Sequence, residues 1–169
     1  MKVLQIVGAD LSKDSIDLFH HDSANHVKIS NSASGFKELV FWLINLKVDK
    51  TSVFLVMEHT GFYSFQLEKF LHQHQIQFAK VSALAIKRSL GLIRGKNDKI
   101  DAERIARFGF EKRDKLVAAK PAHPVLQRLQ MLHSTRARLT KYRQSLACAL
   151  KEYRMVLSST DPIIKIQLT

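Results

Sequence analysis

Apolar and polar positions alternate in short runs over the first thirty residues and then change to a helical period. Three apolar runs are separated by polar breaks, namely Val3 to Leu11, Ile16 to His20 and His26 to Ser30. This pattern is typical of a three-stranded antiparallel meander. Ser34 can serve as the N-cap of a helix. The apolar residues that follow it recur at helical spacing, namely Phe36, Leu39, Val40, Leu43 and Leu46. The pattern predicts three strands followed by a helix.

The next segments predict two more strands and a second helix. Thr51 to Met57 is a β-branched and apolar run of strand length, Tyr63 to His74 has helical periodicity, and Ile76 to Val81 is a short strand. The predicted order is βββαβαβ, which places the chain in the α/β class.

Two of these strands end on an acidic residue. Val3 to Ala9 and Val53 to Met57 are apolar on both alternating faces, so we expect them to be central and covered by helices on both sides. Asp10 and Glu58 then lie at the rim of the sheet, where open α/β sheets bind ligands. If the strands are neighbours, ~4.8 Å apart, both carboxylates can share one ion.

A second acidic pair lies in a predicted helix that starts at Asn97 or Asp98 and runs to about Glu111, after a short helix over 84–91 and a basic break. Asp98 and Asp101 are three positions apart and project from one helix face. By itself this pair favours helix capping, and Asp10 and Glu58 by themselves fit a turn and a polar strand end. Together, the four acids indicate a site for Mg²⁺ or Mn²⁺.

Charge is distributed unequally along the 169 residues, whose formal net charge is +12. Residues 1–79 contain 7 Lys/Arg and 8 Asp/Glu, whereas residues 80–169 contain 20 and 7. The basic half favours a polyanionic partner over a merely solubilising surface. The candidate nucleic-acid-binding residues are Lys13, Thr60, Arg94, Lys96, Lys99, Arg104, Arg136 and Arg143. The basic residues beside the acids can instead form surface ion pairs.

A long helix is predicted from about Val125 to Leu157, after a polar stretch with two prolines. Its apolar residues follow a heptad spacing, interrupted by Arg136 and Arg143 at equivalent positions. This seam predicts a coiled coil or helical-hairpin partner, and hence a homo-oligomer. The arginines either set the register of that packing, which we favour, or contact nucleic acid.

Cysteine content and hydropathy indicate a soluble cytoplasmic protein. Cys148, the single cysteine, excludes an intrachain disulfide and is predicted to be a small buried helix residue. No stretch approaches the ~18 apolar residues of a membrane span, and the N-terminal apolar run is too short for a signal peptide.

The chain resembles the N-terminal domain of the DEDD-type insertion-sequence transposases, a family that includes the invertase Piv and recombinases guided by a bridge RNA. The resemblance rests on GADLSK around Asp10, MEHTGFY around Glu58 and KNDKIDA around Asp98 and Asp101, and covers roughly residues 3–157. It implies a mixed five-stranded sheet like that of RuvC and ribonuclease H, with flanking helices. It also implies that the four acids are the metal-binding tetrad and that the long helix is a coiled-coil connector.

The resemblance suggests a RuvC-like catalytic domain over residues 1–115, a linker over 116–123, the long helix over 124–158 and a tail over 159–169. Family members carry a second domain with a serine implicated in strand exchange. This chain ends at Thr169 without it, so we expect a truncated element that is incomplete by itself. No serine here inherits that role.

Three hypotheses follow. The leading one is a DNA transposase or recombinase domain whose acids hold Mg²⁺ or Mn²⁺ for phosphodiester cleavage and strand transfer, with DNA and a structured guide RNA as partners. The alternative is a module that binds RNA or branched DNA and assembles a complex without completing the chemistry alone. The third is a helical scaffold that dimerises through the heptad seam.

Overall fold

The computed structural model describes residues 4–90, 98–121 and 123–157, and the chain divides after Pro121 into two compact units. The strands are β1 (Gln5–Leu11), β2 (Ser15–His20), β3 (Asn25–Ser30), β4 (Val53–Glu58) and β5 (Gln77–Val81). The α-helices are α1 (Ala33–Asn45), α2 (Phe65–Gln73), α3 (Ala83–Leu90), α4 (Asp98–Glu111) and α5 (Pro124–Val156). Short 3₁₀ turns lie at Lys50–Ser52, Gly61–Ser64 and Arg113–Lys115. The predicted element order is confirmed.

The five strands form one mixed sheet in the order β3-β2-β1-β4-β5. The meander β1-β2-β3 is antiparallel, whereas β4 runs parallel to both β1 and β5. Parallel neighbours need a crossover connection. α2 supplies it between β4 and β5, and α1 connects the edge strand β3 to β4, which lies beside β1. The sheet is thus the predicted mixed five-stranded one, and β1 and β4 are central neighbours.

Apolar side chains cover both faces of the sheet. On one face, Leu39 and Leu43 of α1 and Leu67 and Leu71 of α2 form the larger core with alternate residues of the strands. On the other face, α3 and α4 pack through Ile86, Ile105 and Phe108 on residues of β1, β4 and β5. Helices thus cover both faces of the sheet, and this explains why the central strands carry apolar side chains on both faces.

The position of α4 depends on a close approach to Gly8 in β1. A Cβ atom at Gly8 would lie 2.2 Å from the carbonyl oxygen of Ala102 and 2.3 Å from the backbone nitrogen of Ala106. Further along α4, a Cβ at Gly109 would lie 2.9 Å from Cγ2 of Ile6. The helix therefore runs antiparallel to β1, and its first turn lies at the end of β1 that carries Asp10.

Two local predictions were wrong in detail. Asp10 lies inside β1, with Asp17 as its Cα partner in β2, because the pairing of the first hairpin continues beyond Ala9 to Leu11. The N-cap of α1 is Ser32, whose side chain accepts a hydrogen bond from the Gly35 amide, so the cap lies two residues before the predicted Ser34.

The second unit is described as a single helix. α5 is 33 residues long, starts with Pro124 after the N-cap His123, and has no buried residue between Pro124 and Val156. Cys148 is exposed, so its predicted burial was wrong. The reason is that α5 packs no face against a core within the described part of the second unit. Among the described helices, none is both long and apolar enough to cross a membrane.

Candidate metal centre at the rim of the sheet

The two strand acids lie side by side on the face of the sheet that α4 covers. β1 and β4 are parallel with Ala9 opposite Met57, so Asp10 and Glu58 are the next residues of their strands. Because side chains alternate along a strand, Asp10 shares a face with Gly8, where α4 makes its close approach. The predicted convergence of the two strands is thus present.

The helical acids reach the same rim. Asp98 and Asp101 are both in the first turn of α4. In this turn negative side chains also interact favourably with the helix dipole, so the capping role considered from the sequence is compatible with the position of both acids. The packing of α4 on Gly8 brings this turn towards Asp10, although almost ninety positions separate them in the chain.

The proximity of the acids is visible in the electrostatics of Asp10. The pKa of Asp10 is raised from 3.8 to about 6. Burial is the largest cause, and the negative charges of Asp101, Asp98, Glu58 and Asp17 follow in that order. All three other predicted acids therefore act on Asp10, and the rim is a region of accumulated negative charge.

Asp17 is a fifth acid of this cluster that sequence reasoning missed. It is buried in β2 directly opposite Asp10 and accepts hydrogen bonds from His26 Nε2 at 2.8 Å and Lys28 Nζ at 3.1 Å. The sequence offered one signal for it: Asp17 is a carboxylate within the apolar run Ile16 to His20. A charged residue buried in a strand needs polar partners, so its position indicates a polar site nearby.

Two of the four predicted acids are engaged in ion pairs. Asp98 Oδ2 lies 3.2 Å from Lys28 Nζ, and Asp101 Oδ1 lies 2.9 Å from Nη1 of Arg104. Lys28 also contacts Asp17, and hydrogen bonds with Asp17 and then Asp98 raise its pKa. Arg104 thus serves as a counter-charge of Asp101, as the ion-pair alternative expected, whereas Lys28, which pairs with Asp98, was not among the residues of that alternative.

The chemistry of this donor set fits a hard divalent cation. Carboxylate oxygens are the preferred ligands of Mg²⁺ and Mn²⁺. A bound cation would favour the ionised form of Asp10, which burial and the neighbouring acids disfavour. Within residues 4–90, 98–121 and 123–157, however, no three acidic, histidine or cysteine side chains form a ready ligand group. The acids share a rim without forming such a group in this structure.

The candidate nucleic-acid-binding residues of the first unit lie in different surroundings. Lys13 is exposed between β1 and β2, and Lys99 is exposed in the first turn of α4, so both lie near the acidic rim. Thr60 follows β4 and has a buried Oγ1 with no hydrogen bond inside the described structure. Arg104 is paired with Asp101. The remaining two, Arg94 and Lys96, lie outside the described residues, as does the predicted break around them.

The candidates of the second unit lie on one face of α5. Arg136 and Arg143 lie on the same side of the helix as Leu132, Leu139 and two threonines. Leu132 and Leu139 are exposed, as is most of the predicted seam. Between Pro124 and Val156 the sequence has seven Lys/Arg and one Glu. The same face therefore offers apolar contact and positive charge.

The sequence matches known proteins over much of its length. The family pattern of the DEDD transposases of the IS110 type matches residues 7–160. Pilin gene-inverting proteins of Moraxella bovis and Moraxella lacunata are each 32% identical over 108 residues, which is 61% of this chain and 33% of theirs. The aligned part is thus about a third of the length of these curated relatives.

Solved structures also align with this chain. Thermus thermophilus RuvC in complex with a Holliday junction substrate has a TM-score of 0.49, and a second structure of Thermus thermophilus RuvC has a TM-score of 0.47. Each is 8% identical and covers 68% of this chain and 98% of its own. The match to the family pattern over residues 7–160 is the finding that assigns the protein: the chain belongs to the IS110-type DEDD transposase family.

Proposed function

We propose that this chain forms the metal-dependent catalytic centre of a DNA transposase or site-specific recombinase, which cleaves phosphodiester bonds and transfers strands in insertion-sequence mobility. The observation that carries the proposal is the convergence of Asp10, Glu58 and the first turn of α4 on one rim. Membership of the transposase family supports it. The relatives are named for inverting a gene, which is a rearrangement of DNA.

Asp10, Glu58, Asp98 and Asp101 would hold Mg²⁺ or Mn²⁺. When bound, the ion supplies charge neutralisation at the phosphodiester and activation of a water or hydroxyl. The protein contributes placement: Asp10 and Glu58 are fixed by central strands that are covered on both faces, and α4 presents the other two acids.

Binding to nucleic acid is proposed to involve the basic residues at the rim and the helix α5. Lys13 and Lys99 flank the acids and are suited to contact backbone phosphates. The excess of Lys/Arg on α5 favours a polyanion through counterion release, and the exposed seam favours a second copy of the chain. We also propose a structured guide RNA as a partner, which the family resemblance supports.

The proposal is tested by measuring Mn²⁺ binding to the chain by calorimetry, and DNA cleavage in a complete transposase that contains it. Asp10→Asn and Asp101→Asn are expected to lower Mn²⁺ affinity at least about tenfold, the scale on which altering a ligand shell acts, and to abolish cleavage. Asp114→Asn is the matched control, because Asp114 is an exposed acid beyond the other end of α4. Undiminished binding and cleavage in both rim variants would remove the catalytic assignment.

A second candidate function is a nucleic-acid-binding and assembly module. The ion pairs of Asp98 with Lys28 and of Asp101 with Arg104 favour it, because paired acids can be purely structural. In that case the rim variants keep their affinity for branched DNA or structured RNA, that affinity falls steeply with salt, and Mn²⁺ has no effect on it.

A further inference from the structure

Lys28 bridges the edge of the sheet and the acidic helix turn. It lies on β3, opposite Asp17 in the strand register, and its Nζ atom is 3.1 Å from Asp17 Oδ2 and 3.2 Å from Asp98 Oδ2. One ammonium group therefore joins two acids that are eighty-one positions apart in the chain. Neither His26 nor Lys28 was a candidate from the sequence.

The two carboxylates held by Lys28 differ in their freedom to move. The Asp17 side chain is 6% exposed, and its other oxygen accepts a hydrogen bond from His26 at 2.8 Å. The Asp98 side chain is 64% exposed, and Lys28 itself is 53% exposed. Asp17 is thus a fixed anchor, whereas the contact between Lys28 and Asp98 can open without burying an unpaired charge.

Resting on the proposed function, we propose that Lys28 is a built-in counter-cation of the acidic rim: it holds Asp98 in the metal-free protein and is displaced from Asp98 when a divalent cation binds. After displacement, Lys28 keeps its contact with Asp17, which stays neutralised. Lys28 is therefore a positioning residue that competes with the ion, and it sets how much metal is needed to assemble the site.

Competition predicts the sign of a mutational effect. Removing Lys28 frees Asp98 for the ion, so Lys28→Met is expected to tighten Mn²⁺ binding roughly two- to fivefold, the range open to an exposed ion pair. A purely structural lysine that holds Asp98 in a ligating position predicts the opposite, because its loss would weaken binding. The sign thus separates the two roles.

The experiment is a calorimetric Mn²⁺ titration of the chain, with the thermal midpoint measured in chelator and in Mn²⁺. For Lys28→Met we expect tighter binding, a lower midpoint in chelator and a larger rise of the midpoint on adding Mn²⁺. Lys28→Arg retains the charge and is expected to restore wild-type affinity. Lys13→Met is the matched control, since it removes an exposed lysine near the same rim that has no contact with Asp98 in the described structure.

The outcomes distinguish this inference from the proposed function. A wild-type chain that does not bind Mn²⁺ contradicts the metal centre and the role of Lys28 with it. A wild-type chain that binds Mn²⁺, together with unchanged or weaker binding by Lys28→Met, overturns only the competition. Equal tightening by Lys13→Met also overturns it, because the effect would then come from net charge rather than from the contact with Asp98.

Discussion

The sheet unit and the helix α5 use apolar side chains in opposite ways. In the sheet unit, residues such as Leu55, Met57 and Leu71 are completely buried between helices and strands. On α5, Leu129, Leu139 and Leu146 recur at regular spacing yet remain at least 60% exposed. Apolar periodicity is strong in both regions, but only the first converts it into a core within the described chain.

This difference separates two kinds of task. A site that needs carboxylates at fixed positions requires well-packed elements, and β1, β4 and α4 pack closely on one another at Gly8 and Gly109. A 33-residue helix, roughly 50 Å long, gains little stability from helix propensity alone. Its exposed seam and positive charge are suited to partners, which would supply the packing that the described part of the chain does not.

The sharpest test of this comparison replaces one leucine in each region. Leu55→Ala leaves a cavity in the central strand and is expected to cost about 2–5 kcal/mol of unfolding free energy. Leu139→Ala removes an exposed side chain and is expected to change it by less than about 0.5 kcal/mol. Urea unfolding followed by the fluorescence of Trp42, the single tryptophan, reports on the sheet unit. Equal losses in the two variants would contradict the comparison.

A second test addresses the close approach of α4 to β1. In Gly8→Ala the new methyl group meets the backbone of Ala102 and Ala106, so α4 must move outward at a cost of ~1–3 kcal/mol. Because this movement carries Asp98 and Asp101 away from Asp10, Mn²⁺ affinity is expected to fall as well. Urea unfolding and calorimetry measure the two effects. Wild-type stability and affinity in this variant would show that the rim does not depend on Gly8.

A third test uses pH. The pKa of Asp10 is raised to about 6, and protons and metal ions compete for the same carboxylate. Mn²⁺ affinity is therefore expected to be nearly constant well above this pH and to fall as the pH drops through it, by about tenfold between pH 8 and pH 5. An aspartate with an ordinary pKa of 3.8 would retain affinity to lower pH. Calorimetric titrations between pH 5 and pH 8 check this, with Asp10→Asn as the variant that should lose this part of the pH dependence.

The smallest expected effect concerns the arginines of α5. If Arg136 and Arg143 contact phosphates, replacing both with Gln should lower the slope of log affinity against log salt by about 2 and leave the Trp42 unfolding curve unchanged. The matched variant with Lys at both positions keeps the charge and the slope. An unchanged slope with altered dimerisation would instead favour the packing role of these residues.

Periodicity along the chain was enough to predict the order of the elements. The alternation in β1 and β4 and the helical spacing in α1 follow from backbone geometry, which acts between near neighbours in sequence. The same local reasoning predicted that β1 and β4 are central, because apolar residues on both faces of a strand require cover on both sides. Asp10 was predicted to follow the strand, but it lies inside β1, because the pairing with β2 continues past it to Leu11.

By itself, the sequence determined the α/β class, the order of the strands and helices, the uneven distribution of charge and the four acids worth testing. Only the tertiary structure decided that Asp17 joins those acids, that Lys28 connects β3 to α4, and that Gly8 allows α4 to pack closely on β1. The physical reason is the separation along the sequence between the residues that interact. Periods and caps depend on residues a few positions apart, whereas the charge environment of Asp10 depends on which distant elements pack together, and packing is decided by the whole core.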